Sequence, residues 1–207
     1  MIKEAKISSL VSLFPMPQYV VVLEDLEKTR LVPIWIGIHE GNAIALEMQG
    51  EKFPRPLTHD LTVNLLKNLG GVLEKVVISD LRDNSYYAVL FVRHQGKVLE
   101  IDARPSDSLA LAVRVKCPIF VDEKVLKKCP RIDESISHED IEKFKNALKT
   151  MSSEEFFKKL EEAPPSEGNP AGPLDFTQFL KQEEEGGPDD EEEGEEDDED
   201  EEGGKNS

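Results

Sequence analysis

Over roughly the first 125 positions the apolar residues fall into short runs rich in β-branched and aromatic side chains. Ile7 and Leu10 to Leu13, Tyr19 to Leu23, and Leu31 to Ile36 are separated by Pro15 and Pro17 and then by a charged stretch from Glu24 to Arg30, which predicts three opening strands. After Gly37 the period changes: Ile38, Ala43, Ile44, Leu46 and Met48 approach helical spacing behind Glu40, predicting a helix that ends near Gly50. Pro54-Arg55-Pro56 cannot continue it, and Thr58 is placed as the N-cap of a second helix carrying Leu61, Val63, Leu65, Leu66 and Leu69 as far as Gly70. Val72 to Leu81 and Ser85 to Val92 predict a hairpin around Asp83-Asn84, and Gln95-Gly96 a second tight turn into Val98 to Asp102. The chain then turns at Arg104-Pro105, with Ser106 as the cap of a third helix through Leu109 to Val115, and Pro118 to Val121 supplies a last strand. The expected fold is α+β: one compact domain over 1–126 with a mixed, largely antiparallel sheet and about three helices.

Beyond it, Ser137-His138-Glu139-Asp140 has the pattern of a cap leading into Ile141, Phe144 and Leu148, followed after Ser152-Ser153 by Phe156, Phe157 and Leu160. This predicts a helical extension over 127–163 that packs either on the domain or on a partner. Residues 164–207 read as linker and tail. Pro164 to Pro173 is rich in Pro and Gly, and Leu174, Phe176, Phe179 and Leu180 form either a docking segment or a loose amphipathic remnant.

Charge sharpens that division. From Glu183 onward there are 16 Asp or Glu and one Lys, Lys205, so this stretch carries −15 of the formal −18 and the remainder only −3. With so few apolar side chains to bury, nothing offsets the entropy of ordering it, and the tail is expected to be disordered. Cys117 and Cys129, with no apolar signal segment ahead of them, fit a reducing, cytoplasmic compartment without a structural disulfide. The longest apolar runs fall far short of the ~20 residues of a membrane-spanning helix, so no membrane partner is expected. A β-rich domain with strand edges leaves homo-oligomerisation open.

Two segments place an Arg-Pro pair just before a helix: Arg55-Pro56-Leu57-Thr58-His59-Asp60 and Asp102-Ala103-Arg104-Pro105-Ser106-Asp107. A helix N-terminus offers unpaired N–H groups and a guanidinium offers a planar fork, so Arg55, Arg104 and Ser106 are candidate phosphate-binding residues. The structural alternative is that Asp60 and Asp107 serve their own helix starts, with Arg104 pairing Asp102 or Asp107 to secure the turn. Asp102, Asp107, Asp60 and Glu40 could also converge on Mg²⁺ or Mn²⁺ with His59 as general base or further ligand, although the spacing itself does not establish this. His39, His94 and His138 read as ordinary surface or strand histidines, and Trp35, inside an apolar strand, as core rather than a base-stacking platform.

The blocks Ile34-Trp35-Ile36-Gly37, Arg55-Pro56-Leu57-Thr58-His59-Asp60-Leu61, Asp102-Ala103-Arg104-Pro105-Ser106-Asp107-Ser108-Leu109-Ala110-Leu111-Ala112 and Pro118-Ile119-Phe120-Val121 resemble, in order and spacing, the bifunctional nuclease domain family. The resemblance covers roughly Met1 to Leu126. It implies a mixed α+β domain and the ability, found in some members, to degrade both DNA and RNA.

Two functions follow as expectations. The first is a metal-dependent nuclease with Asp102, Asp107 and Glu40 on the ion, His59 and Asp60 beside them as catalytic groups, and Arg55, Arg104 and Ser106 on phosphate; nucleic acid is then the partner. The slightly acidic folded part and the lack of a basic run count against easy nucleic-acid binding. The alternative is a non-catalytic scaffold that binds an anion or a protein, with the tail as an interaction arm. The tail also suggests a regulator that mimics a nucleic-acid backbone, or simply a solubilising segment. Shared reach of Asp102, Asp107 and at least one of Asp60 or Glu40 for one ion favours the nuclease; separate salt bridges to Arg55 and Arg104 favour the scaffold.

Overall fold

The computed structural model describes residues 1–13, 16–130 and 138–162. The acidic tail, the 164–180 segment, Ser137 and the Leu160 side chain lie outside the described residues. The chain runs β1 (Ile2–Ser12), β2 (Gln18–Asp25), β3 (Leu31–Gly37), α1 (Ile38–Met48), α2 (Thr58–Asn68), β4 (Gly71–Arg82), β5 (Ser85–His94), β6 (Lys97–Ala103), α3 (Pro105–Val115), β7 (Ile119–Asp122), α4 (Glu123–Leu126), α5 (His138–Ala147) and α6 (Ser153–Glu162).

All seven strands form one sheet in the order β3-β2-β1-β7-β4-β5-β6. Every neighbouring pair is antiparallel except β4 and β7, so the α+β, mixed and largely antiparallel architecture is as expected. β1 begins at Ile2, earlier than the apolar run at Ile7 suggests, because the polar Lys3 and Glu4 are carried into the ladder by pairing with β7. Both tight turns form where Asp83-Asn84 and Gln95-Gly96 stand, with all four residues at positive φ, the geometry that matches the twist of a two-residue hairpin.

Residue parity shows what covers each face. Tyr19 pairs with Ile36 across β2 and β3, and Tyr19 packs so tightly on α1 that a Cβ on Gly41 would lie 2.2 Å from its ring. Val20 pairs with Trp35 on the opposite face, where the Trp35 ring meets Phe156 of α6 at 5.2 Å and its Nε1–H donates to the Met151 carbonyl at 3.2 Å. Val20 to Leu23 are consequently all fully buried, a continuous apolar run rather than an alternating one. The extension packs on the domain, with Phe144, Leu148, Met151, Phe156 and Phe157 buried in the same core as the strands.

β6 is the contrast: a terminal strand whose Val98, Leu99 and Ile101 are exposed. Shifts of register in β1 and twice in β4 bend the sheet. The tip of the β4–β5 hairpin, at Asn84 to Tyr86, is thereby brought opposite the end of β3 at Ile34 to Gly37. Cys117 and Cys129 are free thiols, and burial pushes them up to about 11 and about 12, so neither is a thiolate at neutral pH. Among the described residues no helix is long and apolar enough to cross a membrane.

Candidate functional site

Three helix starts meet at one place. Glu40, His59 and Asp107 stand in the first turns of α1, α2 and α3, and Arg104 is the residue that opens α3. The start of α3 differs from expectation: Arg104 itself is the N-cap, Pro105 takes the first helical position, and Ser106 makes no cap hydrogen bond. Proline suits that position because its missing N–H is one the helix could not have satisfied, and its ring fixes φ near the helical value. The Ser106 and Asp107 amides are then the first free N–H donors of the helix.

The start of α2 also departs from the expected Thr58 cap. Leu57 is the N-cap, and the third helical residue, Asp60, reaches back to accept the Leu57 N–H at 2.8 Å. A leucine side chain cannot cap, so the carboxylate three residues on does the work alone. Asp60 is committed further. Arg114, in the last turn of α3, donates Nε–H to it at 2.7 Å and Nη1–H to the Ala43 and Ala110 carbonyls at 3.1 and 2.9 Å. With its side chain only 6% exposed, Arg114 ties α1, α2 and α3 into one block. Burial raises the Asp60 carboxyl, but the bonds from Arg114 and Leu57 prevail and hold it below the ordinary value.

Arg104 holds the other network. Its Nε–H and Nη2–H donate to the two oxygens of Asp107 at 2.7 and 3.1 Å, and Nη2 also reaches Glu40 Oε1 at 3.0 Å. Glu40 can fold back in this way because Gly37 precedes its helix: a Cβ there would lie 2.5 Å from Glu40 Oε2. His59 Nε2 sits 3.2 Å from Asp107 Oδ1, with the imidazole side chain 14% exposed. Burial pushes the Asp107 carboxyl up, yet hydrogen bonds from Arg104 and His59 outweigh it, so Asp107 stays ionised well below neutral pH. An ionised Asp107 favours the tautomer in which Nε2–H donates to it, leaving Nδ1 with a lone pair.

The remaining candidates are elsewhere. Asp102 is exposed on β6 opposite Val89, while its neighbour Ala103 pairs with Ala88 on the helix-covered face, so the pleat turns Asp102 away from α3. Arg55 is exposed in the bend before α2 and makes no ion pair among the described residues. Among the described residues no three His, Cys, Asp or Glu side chains are grouped to hold a metal ion. The carboxylates expected to share Mg²⁺ or Mn²⁺ thus do not fit that role together: Glu40 and Asp107 grip Arg104, Asp60 grips Arg114, and Asp102 faces the other way.

Arg104 and Ser106 lie on a cleft of about 470 Å³ between the α3 start, the end of β3 and the hairpin tip. Three of its walls were not singled out by sequence. Trp35, read as core, is half-buried and lines the cleft, and so do Tyr86 and the α6 residue Phe157. The only sequence signal for Arg114 is its place seven residues after Asp107, on the same side of α3.

The bifunctional nuclease domain matches residues 21–133, more than half of the chain and all four motif blocks. An uncharacterised protein of Mycobacterium tuberculosis strain H37Rv is 42% identical over 152 residues, which cover 69% of this chain and 90% of that protein. Bifunctional nuclease 1 of Arabidopsis thaliana is 28% identical over 112 residues and bifunctional nuclease 1 of Oryza sativa subsp. indica 23% over 113. Each match spans 53% of this chain but 34% of the plant protein. By the domain match and the motif blocks it contains, the chain belongs to the bifunctional nuclease domain family.

Proposed function

We propose that this protein hydrolyses phosphodiester bonds of nucleic acid at the junction of the three helix starts. The observation that carries the reading is the connected set His59–Asp107–Arg104–Glu40, of which Arg104 and Glu40 line the cleft. Arg104, 66% exposed, presents the outer side of its guanidinium to a phosphate, and the Ser106 and Asp107 amides add donors at the positive end of α3. Asp107 orients His59, whose free Nδ1 takes a proton from the attacking water; Asp107 is a positioning residue in this scheme. Glu40 occupies Arg104 until the phosphate displaces it. The plant relatives carry the name bifunctional nuclease, which supports nucleic acid as the substrate class.

No step runs through a metal, because the carboxylates present do not converge on one. Divalent-ion dependence is therefore part of the test rather than of the scheme. Purified protein is incubated with single- and double-stranded DNA and RNA in Mg²⁺, in Mn²⁺ and in chelator, beside Asp107→Asn. The proposal expects cleavage that falls by about 10²-fold or more in the variant with unchanged circular dichroism. Equal cleavage by both proteins places the chemistry elsewhere.

A second reading, an anion- or protein-binding scaffold, is favoured by two facts: the carboxylates do not converge on one ion, and Arg104 already has two carboxylate partners, the pattern of a structural turn. Absence of cleavage under every condition, with phosphate still bound at Arg104, supports that reading instead.

A further inference from the structure

We infer that the cleft beside Arg104 is a pocket for one unstacked nucleotide, so that the substrate is single-stranded; this deepens the nuclease reading and rests on it. The cleft, at about 470 Å³, falls in the range of small-molecule sites and takes a single nucleotide rather than a duplex. Its lining combines two kinds of chemistry. The Arg104 guanidinium and the start of α3 at Pro105 and Ser106 are suited to a phosphate. The lining is also aromatic: the half-buried Trp35 and Tyr86 offer rings against which a base can lie, backed by the buried Phe157.

The rings are held in place. Trp35 is fixed by its bond to Met151 and by Phe156, and Tyr86 by its hydroxyl, 3.7 Å from the Cys129 sulfur, and by Phe157 at 6.0 Å. The side chains of Gln18, Asn84, Ser106 and Ser153 also line the cleft, and none of them makes a hydrogen bond to another described residue. Two amides and two hydroxyls supply both donors and acceptors, the complement of a base edge and a sugar.

Ser153 and Phe157 belong to α6, outside the 21–133 span of the family domain. The extension therefore completes this pocket instead of merely covering the sheet. A base in a duplex is stacked and paired and cannot enter such a space; an unpaired one can.

Trp35 is the only tryptophan of the chain, so its fluorescence reports the pocket directly. The experiment titrates the full chain with AMP and with inorganic phosphate, and repeats both with Ser153→Phe, which adds bulk to the cleft from α6 and leaves Arg104, His59 and Asp107 unsubstituted. AMP is expected to quench Trp35 and to bind about 10-fold tighter than phosphate, the advantage of one stacked base. Ser153→Phe is expected to abolish that advantage, leave phosphate binding unchanged and lower cleavage of single strands. Equal affinity for AMP and phosphate, or an AMP affinity indifferent to Ser153→Phe, overturns the inference. Cleavage of nucleic acid without base-dependent binding overturns the pocket and leaves the nuclease reading standing. Base-dependent binding with no cleavage supports the pocket and removes the nuclease reading.

Discussion

Arg104 and Arg114 stand at opposite ends of α3 and do different work. Arg114 is buried and anchors three elements; Arg104 is exposed and available to a ligand. Arg114→Ala leaves the Ala43 carbonyl without its partner and Asp60 with the Leu57 N–H alone, and the partial exposure of Asp60 moderates the cost. We expect a loss of about 2 kcal/mol in urea unfolding, with no direct effect on phosphate affinity. Glu40, His59, Arg104 and Asp107 could be named from the sequence because each stands at a helix start in a conspicuous block. Arg114 could not, since its partner Asp60 is 54 residues away. Asp102 was grouped wrongly for a reason that parity explains. Val98, Leu99 and Ile101 put apolar residues on both faces of β6, so the strand carries no alternation from which to decide which way its last carboxylate points.

At the level of elements, the hairpin turns and the apolar runs of β2 and β3 were readable, since turn chemistry and burial on both faces are local signals. The packing of α5 and α6 was left open because an amphipathic helix declares that one face is covered but not by what. The structure answers through Phe156, which is fully buried between Trp35 and Phe144. Phe156→Ala should cost about 3–5 kcal/mol by thermal or urea unfolding and raise amide exchange across α6; an unchanged midpoint would show the extension to be loosely held. A second tie joins β4 to α4, where hydrogen bonds from Arg82 and then Lys124 bring the Asp80 carboxyl down to about 2. A carboxyl lowered on folding contributes stability above its unfolded value near 4, and loses it as pH falls toward the folded value. The stability difference between the protein and Asp80→Asn, read from urea midpoints, should therefore be constant above pH 5 and shrink between about pH 4 and pH 2.

For the molecule as a whole, the proposed function would set an acidic chain against a polyanion, and that sets a particular expectation. The formal charge of −18 repels nucleic acid, and most of it lies after Gln182. Raising ionic strength from about 20 to 150 mM shortens the Debye length and should lower KM, the reverse of a basic nuclease. Truncation after Gln182 should remove most of this salt dependence; a truncated chain with the same salt profile would show that the tail does not oppose the substrate. The bent sheet has its own consequence: it brings β3, the β4–β5 tip and the α3 start together from positions far apart in sequence, so the cleft could not be foreseen from any one segment. The most direct measurement is the kcat for cleavage of a short single-stranded oligonucleotide by the protein, by His59→Gln and by Arg55→Ala. The proposed scheme predicts a loss of about 10²–10⁴-fold for His59→Gln with an unchanged melting temperature and little change for Arg55→Ala, whereas full kcat in His59→Gln would contradict it.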